Sequence, residues 1–339
     1  MDFGEVPLDR ALGAILAHSV ALPDGRLRKG KVLDAEDLAR LASGGLDRVT
    51  VARLGPDDVD EDAAALAVAR ALVPDPSVAG IDLRAVGTGR VNLHAQGAGI
   101  VRIDAAAIHA LNAADPTITV ATLPEWQRMD SGGMVATVKI IAYGVPARAL
   151  DDACRAGAGA LSLIRPRRRK LALVQTRVDP DEDGAKGLAV LAMRAERLEA
   201  SIVETRMVDH RIDDLASAIA GLRNCDLILI LTGSATSDLR DTAPEALRIA
   251  GGTVDHFGMP VDPGNLLFLG SLRGIPVIGL PGCARSPALN GADWVMERLI
   301  CGQAVTGRDI ARMGVGGLLK EIPTRPRPRD PAGRADRGL

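Results

Sequence analysis

The sequence predicts an α/β fold in which a doubly wound, mostly parallel sheet is preceded by a smaller mixed α+β region. From residue 170 onward, short apolar runs alternate with segments of helical apolar spacing, which is the pattern of repeated strand–helix units. One run, residues 227–231, is apolar without interruption, as in a strand that is buried on both faces of a parallel sheet. The length of 339 residues favours more than one domain.

Composition and charge narrow the functional classes. The net charge of -2 provides no basic field for nucleic acid. No apolar run reaches the roughly 18 residues that a membrane span needs, and the first residues lack the charged and apolar regions of a signal peptide. The 4 cysteines show no metal-ligand spacing and fit a reducing compartment. We therefore expect a cytoplasmic protein that binds neither nucleic acid nor a membrane.

Residues 1–168 predict the mixed α+β region, as either one or two subdomains. Asp34 and Asp37 have the spacing of a capping pair, and Asp60 and Asp104 stand where helices are expected to begin. Residues 85–93 predict a glycine-bearing loop, and residues 165–169 predict a polar linker. The remaining predictions are strands at residues 49–51, 100–103, 135–143 and 160–164 and helices at residues 60–73, 104–111 and 146–156.

Residues 169–304 predict the doubly wound domain, and residues 305–339 predict a carboxyl-terminal extension with a disordered tail from Pro323. Ser286 and Pro287 have the residue types of an N-cap and a first helical turn, and they predict the start of the last helix. The predicted strands are residues 171–174, 201–207, 227–231, 254–257, 266–269 and 275–280, and the predicted helices are residues 188–198, 212–222, 243–250 and 286–300.

Two predicted loops lead from strand ends into helices, and we name them the Thr232 loop (residues 232–241) and the Pro281 loop (residues 281–286). In open α/β sheets, ligands bind outside the carboxyl ends of the strands. Small residues let the backbone approach a ligand, and helix starts offer N–H groups and a positive dipole end. The predicted cofactor-binding residues of these loops are Thr232, Gly233, Ser234, Thr236, Ser237, Pro281, Gly282, Arg285 and Ser286.

Three charged residues of these loops could carry specific chemistry. The guanidinium of Arg285 can form two parallel hydrogen bonds with a phosphate. Asp238 and Asp241 supply carboxylates that suit a hard cation such as Mg²⁺, and they are the predicted catalytic and metal-binding residues. In the alternative interpretation, Asp241 is only a helix cap and Asp238 a solvated loop acid.

An ordered set of motifs resembles the molybdopterin-binding domain of the molybdopterin molybdotransferase family, the type found in the carboxyl-terminal domain of gephyrin. The resemblance to this domain covers about 130 residues. Residues 258–266 and 282–287 are similar to one branch of molybdopterin-binding proteins, often fused to a molybdenum-cofactor nucleotidyltransferase, and residues 88–93 and 134–141 match that branch more weakly. The set consists of residues 226–233, Asp238, Asp241, Gly251–Gly252, Pro263–Gly264, residues 268–270, residues 276–282 and Ser286.

The resemblance implies a function in molybdenum-cofactor biosynthesis. The implied ligands are molybdopterin or its adenylylated form, molybdate and Mg²⁺, and Pro263 and Gly264 join the cofactor-binding residues. The implied partners are a second copy of the chain and a nucleotidyltransferase or molybdoenzyme. Departures from the family pattern weaken the metal-insertion part, because Asp262 and Asn265 stand where basic residues are expected and Ser234 replaces a glycine.

Three functional hypotheses follow. The first is a molybdotransferase-like transferase that inserts molybdate. The second is a carrier that binds molybdopterin and passes it to a nucleotidyltransferase or a target enzyme. The third, less well matched by residues 135–141, is a relative of nicotinamide-nucleotide pyrophosphatases or amidases. The retained Asp238 and Asp241 favour the first hypothesis, and the absent basic residues favour the second.

Overall fold

The computed structural model of the protein describes residues 1–319. These residues divide into two compact units, the first being Met1–Ile164 and the second beginning at Arg165. The boundaries predicted at residues 168 and 304 stay predictions, and the tail predicted to be disordered from Pro323 lies outside the described residues. Within residues 1–319, no helix has both the length and the hydropathy that crossing a membrane requires.

The first unit is a mixed α+β structure of small antiparallel sheets, as predicted. Its sheets have the strand orders β1-β5-β2, β3-β4, β13-β6, β10-β12-β8-β7 and β11-β9-β14 once the strands are numbered along the chain. The strands are β1 (Asp2–Pro7), β2 (Ile15–Leu16), β3 (Val20–Leu22), β4 (Gly25–Leu27), β5 (Arg48–Arg53), β6 (Asp58–Asp60), β7 (Ile81–Ala85), β8 (Arg90–Ala95), β9 (Gly99–Ile103), β10 (Ile118–Thr122), β11 (Arg128–Met129), β12 (Met134–Ile140), β13 (Gly144–Pro146) and β14 (Leu161–Ile164). The helices are α1 (Ala35–Ser43), α2 (Glu61–Leu72), α3 (Pro76–Ala79), α4 (Ala105–Ala114) and α5 (Ala147–Ala156), and a 3-10 helix spans Leu8–Arg10.

The helix starts of the first unit follow the sequence signals. Asp34 and Asp37 form the predicted capping box at α1, each side chain accepting the other residue's backbone N–H. Asp60 and Asp104 cap α2 and α4 with their carboxylates. These aspartates fix helix starts because they satisfy N–H groups that have no partner inside the helix.

The prediction of a loop over residues 85–93 is wrong. β7 and β8 form an antiparallel hairpin, and only the turn at residues 86–89 connects them. Val91 and Leu93 point into the core with 1% and 0% exposure, so every second residue is buried in strand fashion. The glycines at positions 87 and 89, both with positive φ, belong to the turn alone.

The second unit contains a six-stranded sheet in the order β16-β15-β17-β20-β19-β18. The first four strands are mutually parallel, and β19 runs antiparallel to both of its neighbours, β20 and β18, which agrees with the predicted mostly parallel sheet. Its strands are β15 (Lys170–Arg177), β16 (Ser201–Asp209), β17 (Leu227–Leu231), β18 (Thr253–Phe257), β19 (Phe268–Leu272) and β20 (Ile275–Leu280). Its helices are α6 (Ala185–Glu196), α7 (Ile212–Ala220), α8 (Thr242–Ile249), α9 (Gly291–Ile300) and α10 (Gly307–Ala311), with 3-10 helices at Gly282–Arg285 and Arg312–Gly314.

Helices cover both faces of this sheet. α7 and α8 bury alternate residues of β15, β17 and β20 in one apolar cluster. On the opposite face, α6 lies against Leu231 through Gly187, where an added Cβ would stand 2.8 Å from that leucine. Because both faces are covered, β17 is fully buried, as its uninterrupted apolar run predicts.

The predicted start of the last helix at Ser286 is also wrong. Ser286 ends the 3-10 helix Gly282–Arg285, and α9 begins at Gly291 with Asn290 as its N-cap in a capping box with Asp293. The backbone carbonyls of residues 284, 286 and 288 instead accept hydrogen bonds from the Arg194 guanidinium. These carbonyls are therefore turned toward Arg194 rather than along a helix axis.

Candidate functional site

The two predicted ligand loops are adjacent. β17 and β20 are neighbouring parallel strands, and Leu231 pairs with Leu280 in their register. The Thr232 and Pro281 loops each begin one residue later, so both leave the carboxyl edge of the sheet side by side. The same edge carries the end of β15, because Gln175 pairs with Leu231. The topology of the sheet therefore brings the two loops together.

One peptide group, between Thr232 and Gly233, is held on both sides. The carbonyl oxygen of Thr232 accepts a hydrogen bond from Arg285 Nη2 at 2.9 Å. The N–H of Gly233 donates to Thr176 Oγ1 at 2.9 Å. A Cβ at Gly233 would stand 2.9 Å from the carbonyl oxygen of Thr176 and 3.0 Å from the backbone nitrogen of Val178. Glycine is therefore required here by the close approach of the β15 segment.

Arg285 lies between the Thr232 loop and the loop that follows β15. Besides the Thr232 carbonyl, its guanidinium faces Glu182, with Nη2 3.7 Å from the Glu182 carboxylate. The Arg285 side chain keeps 24% exposure. Its remaining N–H groups can still be directed toward a phosphate, but Glu182 competes with such a ligand for the positive charge.

Asp241 caps α8, as the alternative interpretation of this residue predicted. Its two carboxylate oxygens accept the N–H groups of Thr242 at 2.7 Å and Ser237 at 2.9 Å. Burial raises its pKa, but the hydrogen bonds and the nearby His210 outweigh burial and leave the pKa below the ordinary 3.8. Its ionised form therefore stabilises the fold above pH 3.8, and this stabilisation is lost as the pH falls through the lowered pKa.

Asp238 has a more exposed position in the same loop. One of its carboxylate oxygens accepts the backbone N–H of Arg240 at 2.7 Å. Within residues 1–319, no group of three or more His, Cys, Asp and Glu side chains is placed to hold a metal ion. The catalytic and metal-binding roles of Asp238 and Asp241 remain predictions.

Several hydroxyls predicted to face the ligand are used inside the loops. Thr232 Oγ1 donates to the Ser234 carbonyl at 2.6 Å, and Ser237 Oγ lies 3.4 Å from the Asp241 carboxylate. Thr236 is buried with 6% exposure. The Ser286 hydroxyl accepts the N–H of Ala288 at 3.3 Å. The loops are therefore internally hydrogen-bonded, and they offer a ligand mainly backbone groups and the Arg285 guanidinium.

Pro263 and Gly264 contact the first residue of α9, Gly291. The carbonyl of Pro263 accepts the N–H of Gly291 at 2.8 Å, and a Cβ at Gly264 would stand 2.8 Å from the same nitrogen. This turn packs against the helix that follows the Pro281 loop. The cofactor-binding role of Pro263 and Gly264 stays a prediction.

Sequence reasoning missed Arg194, whose buried guanidinium binds backbone carbonyls of the Pro281 loop. Arg194 is 5% exposed and forms an ion pair with Asp293 of α9, which is 9% exposed. It also donates to the carbonyls of Ala284 at 2.7 Å and Ser286 at 2.8 Å. The signal was present in the sequence, because residue 194 falls three after Leu191 on the apolar face of α6.

Thr176 and His210 were also missed as site residues. They stand at the carboxyl ends of β15 and β16, and Thr176 Oγ1 lies 2.8 Å from His210 Nδ1. Thr176 is completely buried. The rule that ligands bind at carboxyl strand ends applies to these two strands as well as to β17 and β20. Following it for all four parallel strands would have identified both residues.

Comparisons with family models and with curated proteins leave most of the chain without a match. A family model described as a domain of unknown function, DUF8806, matches residues 5–53, which is less than half of the chain. No curated protein matches the chain.

Solved structures resemble the chain only distantly. The molybdopterin biosynthesis MoeA protein from Pyrococcus horikosii has 15% identity and a TM-score of 0.32, and the match covers 91% of this chain and 76% of that protein. Molybdenum cofactor biosynthesis protein B has 13% identity and a TM-score of 0.28, covering 40% of this chain and 91% of its own. The protein CinA with unknown function from Thermoplasma acidophilum has 13% identity and a TM-score of 0.28, and the match covers 35% of this chain and 90% of that protein.

Proposed function

We propose that the protein acts in molybdenum-cofactor biosynthesis by binding molybdopterin, free or adenylylated, at the carboxyl edge of the six-stranded sheet. The observation that carries this proposal is the joining of the Thr232 and Pro281 loops by the hydrogen bond from Arg285 to the Thr232 carbonyl. These loops contain the motifs that resemble the molybdopterin-binding domain. They lie at the sheet edge where α/β proteins bind ligands.

The chemistry of this edge suits a flat ligand that bears a phosphate. The backbone of Gly282 carries no side chain that would hold a ring system away. Gly282 has no atom within 4 Å of an added Cβ, so the space above it is open. Arg285 supplies the positive charge that a phosphate requires. In this proposal, Arg285 holds the phosphate, and the open space above Gly282 accommodates the pterin.

Arg285→Ala is expected to weaken molybdopterin binding by roughly tenfold to a hundredfold, because a charge-assisted hydrogen bond contributes about 1.5–3 kcal/mol. The measurement is a titration of purified protein with molybdopterin, followed by pterin fluorescence. Arg240→Ala is the matched control, since Arg240 is an exposed arginine of the Thr232 loop. Wild-type protein that binds no molybdopterin refutes the proposed function, whereas equal affinities of all three proteins refute only the role of Arg285.

Magnesium-dependent molybdate insertion is the enzymatic form of the proposal. If Asp238 and Asp241 hold Mg²⁺ during turnover, then Asp238→Asn and Asp241→Asn abolish turnover and leave pterin affinity almost unchanged. The assay is cofactor maturation in a purified system with molybdate, in which magnesium is titrated against the wild type and each variant. Turnover that is indifferent to both substitutions contradicts a metal site at this pair.

A carrier function is the second form, and one observation favours it. Both oxygens of Asp241 already accept backbone N–H groups that fix the loop and the start of α8. A carrier needs no metal, so magnesium would change neither its pterin affinity nor its release of the ligand. In this form of the proposal, the protein passes bound molybdopterin to a nucleotidyltransferase or a molybdoenzyme. The proposal also includes the formation of a homodimer. Both can be tested in the same purified system.

A further inference from the structure

His210 is a titratable side chain at the carboxyl edge that none of the motifs includes. It follows β16 directly, and its ring is partly buried. Its Nδ1 atom lies 2.8 Å from the hydroxyl of Thr176, which is completely buried. The same hydroxyl oxygen accepts the N–H of Gly233 at 2.9 Å. His210 is therefore connected through one side chain to the Thr232 loop.

The Thr176 hydroxyl determines which ring nitrogen of His210 carries a hydrogen. A hydroxyl has one hydrogen to donate, and Gly233 cannot receive it because its N–H is itself a donor. Among residues 1–319, the remaining polar atom in contact with this hydroxyl is His210 Nδ1. A completely buried hydroxyl without an acceptor is unfavourable, so Thr176 donates to Nδ1. The imidazole is then neutral, with its hydrogen on Nε2.

We propose that His210 is a ligand-binding residue of this site and that its Nε2–H donates a hydrogen bond to a phosphate oxygen of the bound molecule. For the identity of that molecule, the inference rests on the proposed molybdopterin function. Nε2 has no hydrogen-bond partner within the described part of the chain. An uncommitted donor at the carboxyl edge, held in one tautomer by its other nitrogen, is suited to orient a ligand.

The charges around His210 leave its donor free for a ligand. Asp209 is paired with Arg177 at 2.9 Å, and Arg211 lies 3.8 Å from Asp214. The carboxylate of Asp241 accepts the backbone N–H groups of Ser237 and Thr242. Within residues 1–319, no neighbouring residue takes the Nε2–H in a direct hydrogen bond.

Arg285 and Thr176 hold the two ends of one peptide group. The Thr232–Gly233 peptide is trans, so its carbonyl and its N–H point in opposite directions. Arg285 holds the carbonyl, and Thr176, which is itself bonded to His210, holds the N–H. The guanidinium and the imidazole are therefore both connected to the peptide at which the Thr232 loop begins.

The first test needs no ligand. Long-range proton–nitrogen correlation spectra of ¹⁵N-labelled protein identify the protonated ring nitrogen of each of the 5 histidines, and the His210 signals are assigned by their loss in His210→Gln. We expect hydrogen on Nε2 alone in the wild type at neutral pH, and a mixture of tautomers in Thr176→Val. Hydrogen on Nδ1 in the wild type overturns the inference.

The second test compares two substitutions, one that replaces the donor at Nε2 and one that replaces the acceptor at Nδ1. His210→Gln places an amide donor near the position of Nε2, whereas His210→Asn keeps an acceptor facing Thr176 and has no donor at the Nε2 position. In the molybdopterin fluorescence titration, we expect about a tenfold loss of affinity for His210→Asn and substantial rescue for His210→Gln. Equal losses in both variants indicate a purely structural role and overturn the inference, as does unchanged affinity in both.

A titration of the labelled wild type with inorganic phosphate separates this inference from the proposed function. If the wild type binds no molybdopterin, the proposed function fails, but a phosphate-dependent shift of the His210 Nε2 signal still supports His210 as a phosphate ligand. No shift of this signal at saturating phosphate, combined with no binding of molybdopterin, overturns it.

Discussion

Arg194→Met is expected to destabilise the second unit by about 3–5 kcal/mol, because it breaks a buried ion pair and leaves the Asp293 carboxylate without compensation. The two side chains are 5% and 9% exposed, so water cannot replace the guanidinium. The substitution also leaves the carbonyls of Ala284, Ser286 and Ala288 without their donor. We expect the Pro281 loop to lose its conformation before the sheet unfolds, and molybdopterin affinity to fall with it.

The measurement is urea unfolding followed by the fluorescence of Trp294, which adjoins Asp293. The chain has 2 tryptophans, so a Trp126→Phe background makes Trp294 the sole tryptophan reporter. Arg169→Ala is the matched control, because its pair with Glu199 is 58% and 52% exposed and such pairs contribute about 1 kcal/mol or less. Adding Asp293→Asn to Arg194→Met should recover part of the loss, since no buried charge remains. Equal effects of Arg194→Met and Arg169→Ala would contradict the buried pair.

Gly279→Ala is expected to destabilise the same unit by about 3 kcal/mol, at the upper end of the range for overpacked cores. Gly279 pairs with Phe268 across β20 and β19, and an added Cβ would overlap the aromatic ring. Phe268 is 1% exposed, so its ring has no free space into which it can move. The strand that carries the Pro281 loop must then shift, and we expect weaker molybdopterin binding as well as lower stability.

Gly282→Ala is the control, because nothing lies within 4 Å of its added Cβ. We expect its free energy of unfolding to stay within about 0.5 kcal/mol of the wild type. Phe268→Leu should partly restore the stability of Gly279→Ala, since the smaller side chain leaves room for the methyl group. A Gly279→Ala protein as stable as Gly282→Ala would show that the core at Phe268 is loosely packed.

The strands and helices of the second unit could be predicted because each has a strong local signal. β17 is an unbroken apolar run, and α8 begins beside Asp241, a residue that caps helices. Predictions failed where a residue distant in the chain decides the conformation. The residue types at Ser286 fit an N-cap and predict the start of α9 there, but Arg194 holds the carbonyl of Ser286 from 92 positions away.

The hairpin of β7 and β8 in the first unit was not predicted for a related reason. The glycines of residues 86–89 dominate the local sequence, whereas the strand character of Val91 depends on its burial beneath neighbouring strands. β1 was not predicted at all, because its short sequence contains a glycine and charged residues. It becomes a strand by pairing with β5.

The sequence by itself determined the α/β class, the mostly parallel sheet and the two loops at its carboxyl edge, because hydrophobic periodicity and parallel topology leave few other arrangements. Only the tertiary structure decided which atoms of those loops remain available to a ligand. Gly233 gives its N–H to Thr176, which lies 57 positions away, and Arg285 gives a hydrogen bond to Thr232, which lies 53 positions away. Such pairings arise because the fold brings strand ends together, and local residue preferences contain no information about them.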